Sequence, residues 1–294
     1  MAVLDSRQYD IFVASATDIS AKQHRELMAR NWFCLSKQKR TKEIYHEFGE
    51  NYVRVSADDG YGIASIFDND ILLFIMGQYA KAVNDGKTGL SRKIGFNGYE
   101  YFKFIGKNKF GGTGYKELWS ALNRLHHTFI ETNLSFGDAE EKHSFNWLSS
   151  IKRNRQVTNR GENDTGFEVT LADWLYESIV DKKWILTLDE GYFGLTGGLQ
   201  RWLYLYARKS AGYQKGGWAE SIDSLYKKSG VLSSKAVFKS AVKKLCEKSL
   251  VAYEISLVTN ENGQDGIHFI RNEKLIKKSL RNRRGGAITF RETE

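Results

Sequence analysis

The chain has 294 residues, 41% hydrophobic and 13% aromatic, enough to bury the core of one large or two ordinary domains without staples. Forty-four Lys and Arg against 35 Asp and Glu leave a formal net charge of +9, which favours a polyanion as partner and says nothing of fold. Two cysteines, Cys34 and Cys246, exclude a disulfide framework or a zinc site, and no apolar run exceeds I-L-L-F-I-M at 71–76, far below the roughly 18 residues of a membrane helix.

The opening M-A-V-L-D-S-R-Q-Y-D lacks a basic start and a long apolar run, so a soluble cytoplasmic protein with buried, reduced thiols and no membrane partner is expected. Proline is absent, so turns are read from Gly, Asn, Asp and Ser. Residues 1–50 read as polar and irregular, with a helical stretch over Lys22–Ala29 and a basic run K-Q-K-R-T-K at 37–42 expected to be a solvated surface. Tyr52–Ser56 alternates as a short strand.

A helix starts at Asp68 or Asp70, either of which can cap it, and N-D-G stops it after Val83. A strand R-K-I-G-F follows, then a helix capped by Asn97 with Tyr101, Phe102 and Ile105 inward. A third helix, Tyr115–His127, has a core stripe of Tyr115, Leu118, Leu122 and Leu125, and projects Lys116, Ser120, Asn123 and His127 from another face. F-I-E-T-N-L-S-F and H-S-F-N-W-L alternate as a hairpin. The order helix, strand, helix, helix, hairpin is that of a winged helix. Residues 151–166, poor in apolar side chains, are a wing tip or a linker.

A strand F-E-V-T-L and a helix A-D-W-L-Y-E-S-I-V lead into the second half. There L-T-G-G-L-Q-R-W-L-Y-L-Y-A-R-K-S-A-G, W-A-E-S-I-D-S-L-Y-K-K-S-G and S-S-K-A-V-F-K-S-A-V-K-K-L-C-E-K-S read as three helices, followed by a hairpin at 251–258 and 266–270. Trp202, Tyr204 and Tyr206 alternate within a helix and are read as core. In the third helix Phe238, Ala241, Val242 and Leu245 share one face, while Lys235, Lys239 and Lys243 line another. A helix with one face apolar and one face lysine is expected to meet phosphate. From Arg271 to Glu294, eight Lys and Arg against three Glu make a basic tail, either an electrostatic arm or a solvated terminus.

Several enzyme-like patterns fail on spacing. G-K-T at 86–88 lacks the earlier glycine of a P-loop, where Lys81 stands. G-G-T-G at 111–114 reads as a turn. Adjacent His126 and His127 point about 100° apart on a helix and cannot share a metal. No pair of histidines flanks a single apolar residue, as an origin-nicking enzyme would need. Asp58-Asp59 is expected to be an exposed turn. The expectation is a non-enzyme without cofactor.

Longer motifs carry a resemblance. A-T-D-I-S-A-K-Q-H-R-E-L-M-A-R-N-W-F-C-L-S-K at 16–37, Y-G-I-A-S-I-F-D-N-D-I-L at 61–72, H-S-F-N-W-L at 143–148, L-A-D-W-L-Y at 171–176 and Y-F-G-L-T-G-G-L-Q-R-W-L-Y-L-Y-A-R-K-S-A-G at 192–212 resemble the plasmid replication initiator protein A family. The chain departs from the family at Asn31, usually proline, and at Phe67, often tryptophan.

The resemblance implies an α+β fold of tandem winged helices, with an N-terminal domain over 1–170 and a C-terminal domain with its basic tail over 171–294. It implies binding to repeated double-stranded origin sites (iterons), origin opening, and recruitment of the host replication initiator and replicative helicase. A transcriptional autorepressor is the alternative, and a homodimer is left open. It makes 113–127 and 233–248 the recognition helices. The assigned DNA contacts are Lys116, Ser120, Asn123, Arg124, His127, Arg153 and Arg155 in the first half. Those in the second half are Ser234, Lys235, Lys239, Lys243 and Lys244.

Overall fold

The computed structural model describes residues 11–14, 19–107, 111–134, 142–158, 161–180, 185–272 and 274–275, with the side chains of 156–158 and 161–165 left aside. The fold is mixed α+β, and the chain divides into two units, one of 1–26 with 32–187 and one of 27–31 with 188–294. Residues 171–187, expected in the second domain, thus group with the first unit.

In chain order the first unit carries β1 (Phe12–Val13), β2 (Lys22–His24), the start of α1 (Arg25–Ala29), β3 (Ile44–Phe48), β4 (Asn51–Ala57), α2 (Asn69–Asn84), β5 (Lys93–Phe96), α3 (Gly98–Phe104), α4 (Gly112–His126), β6 (Thr128–Thr132), β7 (His143–Asn146), β8 (Leu148–Thr158), β9 (Gly161–Leu171), α5 (Asp173–Val180) and β10 (Ile185–Thr187). Helix α2 is apolar nearly all round and buried accordingly, from Asn69 through Ala80, which makes it the central helix of its unit. Asn97 caps α3 by accepting from Tyr99 N at 2.9 Å. Asp68 precedes α2 but makes no side-chain cap bond to it; its carboxylate accepts from Ser65 N instead.

Three expectations change here. Lys22–Ala29 is helical only from Arg25; Lys22–His24 pairs antiparallel with β10, because a sheet partner 161–165 residues away in sequence overrides local helix preference. The basic run at 37–42 is less free than a solvated surface, since Arg40 is buried and donates to the carbonyls of Lys42 and Glu43. Residues 44–48, read as irregular, form β3 and pair with β4 around the Gly49–Glu50 turn.

The strand pairing corrects a further point. The hairpin expected at 129–148 exists, as β6 paired with β7, but it belongs to a four-stranded sheet of order β3-β4-β6-β7. The long hairpin that pairs with β5 is built from 148–171, in a sheet of order β1-β5-β9-β8. Residues 151–166, read as tip or linker, therefore lie almost entirely in paired strands. Paired strands are held by backbone hydrogen bonds, which do not require apolar alternation.

In the second unit a 3-10 turn (Glu190–Gly194) precedes α6 (Gly198–Ser210), β11 (Trp218–Ser221), α7 (Ile222–Ser229), α8 (Lys235–Cys246), β12 (Tyr253–Thr259) and β13 (Asp265–Arg271). Trp202, Tyr204 and Tyr206 of α6 are all buried, as the core reading required. Arg271 closes the unit by pairing with Asp189 at 3.0 Å, and Tyr204 Oη donates to the same carboxylate at 2.8 Å. Burial opposes the Arg271 charge, but Asp189 and Tyr253 outweigh it and raise its pKa. Asn31 docks here too, donating through its backbone and its side chain to the carbonyls of Lys228 and Ser229.

The two units share one topology. Each runs helix, strand, helix, helix, hairpin (α2-β5-α3-α4-β8-β9 and α6-β11-α7-α8-β12-β13). In each, the first strand pairs antiparallel with the last, Ile94 opposite Val169 and Glu220 opposite Ile267. The first unit inserts β6 and β7 before its hairpin. Residues 276–294, most of the expected basic tail, lie outside the described residues.

Candidate nucleic-acid interface

In the first unit α4 is anchored by Leu118, Ala121, Leu122 and Leu125, all buried, while Thr113, Lys116 and Ser120 are exposed on the opposite side. Lys116 and Ser120 therefore project outward from the polar face of the helix. Three of their assigned neighbours do not. Asn123 Nδ2 donates to the Trp119 carbonyl at 2.8 Å. Arg124 makes a two-pronged pair with Asp68, at 2.8 and 2.7 Å. The Asp68 hydrogen bonds raise the Arg124 pKa against the opposing pull of burial. His127 stacks on Tyr61, ring centroids 3.9 Å apart, with Nδ1 2.8 Å from Asp58 Oδ2, so Asp58 is also more than an exposed turn residue.

Asn123 thus bonds within its own helix, while Arg124 and His127 meet residues from elsewhere in the unit. A projection from sequence places them on a polar face but cannot show that a carboxylate from residue 58 or 68 comes up beside it. From β8, Arg153 lies over the Trp119 ring at 5.8 Å, so this arginine packs the hairpin against α4. Arg155 is exposed further out on β8, opposite Asp164 in the strand register.

In the second unit α8 is set by two caps. Gly230, left-handed at φ 60°, ends α7, and the Ser234 side chain accepts from Val237 N to start α8. Ser234, assigned to DNA, is thus an N-cap. Phe238 and Val242 hold the buried side. Lys235 pairs with Asp223 of α7 and Lys239 with Asp265 of β13, each at 2.6 Å. Lys239 thereby holds down the Asp265 pKa, first through its hydrogen bond. The Lys235–Lys239 edge, expected to face phosphate, is engaged with its own unit. Lys243 and Lys244 are exposed.

The residues facing outward beside them are Ala236, Val237 and Ser240, none of them charged. Selecting for basic side chains passed over this face. Its signal was the spacing 236, 237, 240 opposite the Phe238–Val242 stripe.

Among the described residues no group of three or more His, Cys, Asp or Glu could hold a metal ion, and no helix is long and apolar enough to cross a membrane. Cys34 is buried and Cys246 half-buried, and burial raises both thiol pKa values.

Residues 22–255 match the model of a family described as replication initiator protein A. A protein of Wigglesworthia glossinidia brevipalpis that carries a replication-protein name is 31% identical over 244 residues, covering 82% of this chain and 86% of that one. Two crystal structures of domains 2 and 3 of RctB have a similar fold. One has a TM-score of 0.56 at 11% identity, covering 83% of this chain and 97% of that chain. The other has 0.51 at 9%, covering 87% and 99%.

Proposed function

The chain belongs to the replication initiator protein A family, and on that premise we propose that it binds repeated double-stranded sites at a plasmid origin, opens the origin and recruits the host initiator and replicative helicase, without catalysis of its own. Each strand–helix–helix–hairpin module is taken as a winged helix, with α4 and α8 as the helices that enter the major groove. The observation that carries this is the recurrence of one module in both units, each with its second helix exposed opposite a buried stripe.

The contacts proposed are the exposed Lys116, Ser120 and Arg155 in the first unit and Lys243 and Lys244 in the second. Arg124, His127, Lys235 and Lys239 are supports that orient the two helices. A homodimer remains part of the proposal.

The test is hydroxyl-radical footprinting of the full chain on the origin of the replicon that encodes it. Protection of repeated sites, with random duplex about 10³-fold weaker as competitor, is the expected result. Equal competition by random duplex at moderate salt would end the sequence-specific proposal.

A further inference from the structure

Resting on that DNA-binding proposal, we infer that α8 reads thymine through its C5-methyl group, with Ala236 and Val237 as the contacts. The lysines that a sequence projection puts on the reading face are held elsewhere, Lys235 by Asp223 and Lys239 by Asp265. What the first two turns of α8 turn outward, beside the ion-paired Lys235, is Ala236, Val237 and Ser240. Val237 is 58% exposed, and so is Leu232 just before the helix. A β-branched side chain left that open in the first turn of a helix contributes little to packing in its own unit and has poor helix propensity.

The chemistry of this face selects among base edges. In the major groove G offers two acceptors, and C and A each offer an amino donor. Thymine alone adds a methyl group, and apolar side chains are its partners. Apart from the Ser240 hydroxyl, a face of Ala and Val has no donor for guanine and no acceptor for cytosine. It is also short, so the helix backbone can come close to the base edges. One turn further on, the exposed Lys243 and Lys244 supply the positive charge that suits flanking phosphates. Duplex DNA with thymine at the positions under the first half of α8 meets both demands.

The test uses the full chain and a site enriched by it from a random duplex pool. Single thymines in that site are replaced by deoxyuridine, which removes only the methyl group. One or two replacements should weaken wild-type binding about fourfold each, the equivalent of leaving one methyl-sized group unburied. The variant Val237→Ala should melt with the wild type and lose most of the thymine-over-uracil preference at one of those positions.

If the enriched site binds equally well with every thymine replaced, the inference is overturned while sequence-specific binding stands. If Val237→Ala keeps the full preference at every position, Val237 is not the reader, and the inference also fails. If the pool yields no enriched site, the DNA-binding proposal falls and this inference with it.

Discussion

Asp68 is a carboxylate only 5% exposed at its side chain, held by Ser65 N and by both prongs of Arg124. Removing the arginine would leave a buried charge with one donor. Arg124→Ala should therefore cost about 2–3 kcal/mol in urea unfolding, below the usual range for a broken buried pair because the guanidinium is a third open to water. A variant that unfolds with the wild type but loses DNA affinity would return Arg124 to the interface.

Neighbouring positions on α8 separate in the same way. Phe238 is buried against Tyr226, ring centroids 5.5 Å apart, and Phe238→Ala should destabilise the chain by about 3 kcal/mol or more. Lys239→Ala removes only a surface ion pair to Asp265 and should leave the thermal melt unchanged. Its effect on affinity should be smaller than that of Lys244→Ala. Equal melting temperatures for Phe238→Ala and Lys239→Ala would mean the faces of α8 are reversed.

Among the elements, the β8–β9 hairpin was the hardest to see beforehand, and its stability centres on one side chain. Glu168 on β9 accepts from Asn154 at 2.8 Å and pairs with Lys93 at 3.2 Å and Lys152 at 3.4 Å, joining β5, β8 and β9. Asn154 first, then the two lysines, hold its carboxyl below the ordinary value of 4.5 against the opposing pull of burial.

A depressed carboxylate pKa means the folded state binds fewer protons than the unfolded one. Its contribution is complete above 4.5 and is lost as the pH falls through the lower folded value. Glu168→Gln should lower Tm by a few degrees at pH 7, and the gap to the wild type should close as the pH falls through the lowered folded value. A gap independent of pH would place the loss in packing instead of charge.

Across the whole molecule, the cations able to reach phosphate are fewer than the 44 Lys and Arg suggest, because Lys235, Lys239, Arg124 and Arg271 are each paired with an aspartate. Counterion release depends on the cations that reach phosphate. The plot of log K against log salt should therefore have a slope near about −5, as for about six neutralised phosphates. A slope shallower than about −2 would leave too few phosphate contacts for two helices bound at once.

The amino-acid sequence by itself determined what repeats locally. The buried stripes of α4 and α8, the Asn97 cap, the buried aromatics of α6 and the last hairpin all follow from periodicity and turn residues a few positions apart. The family motifs were equally legible. Only the tertiary structure decided which strands lie side by side, so β2 was read as helix and β8–β9 as a possible linker, because a strand's partner lies far away in sequence.

The same limit governed the candidate site. Lys116 and Ser120 were legible because their surroundings are their own helix and water. Arg124, His127, Lys235 and Lys239 were not, because the carboxylates of Asp68, Asp58, Asp223 and Asp265 reach them only through the fold. A charge on a helix face is available to a ligand only if no opposite charge is brought beside it first, and three-dimensional packing makes that choice.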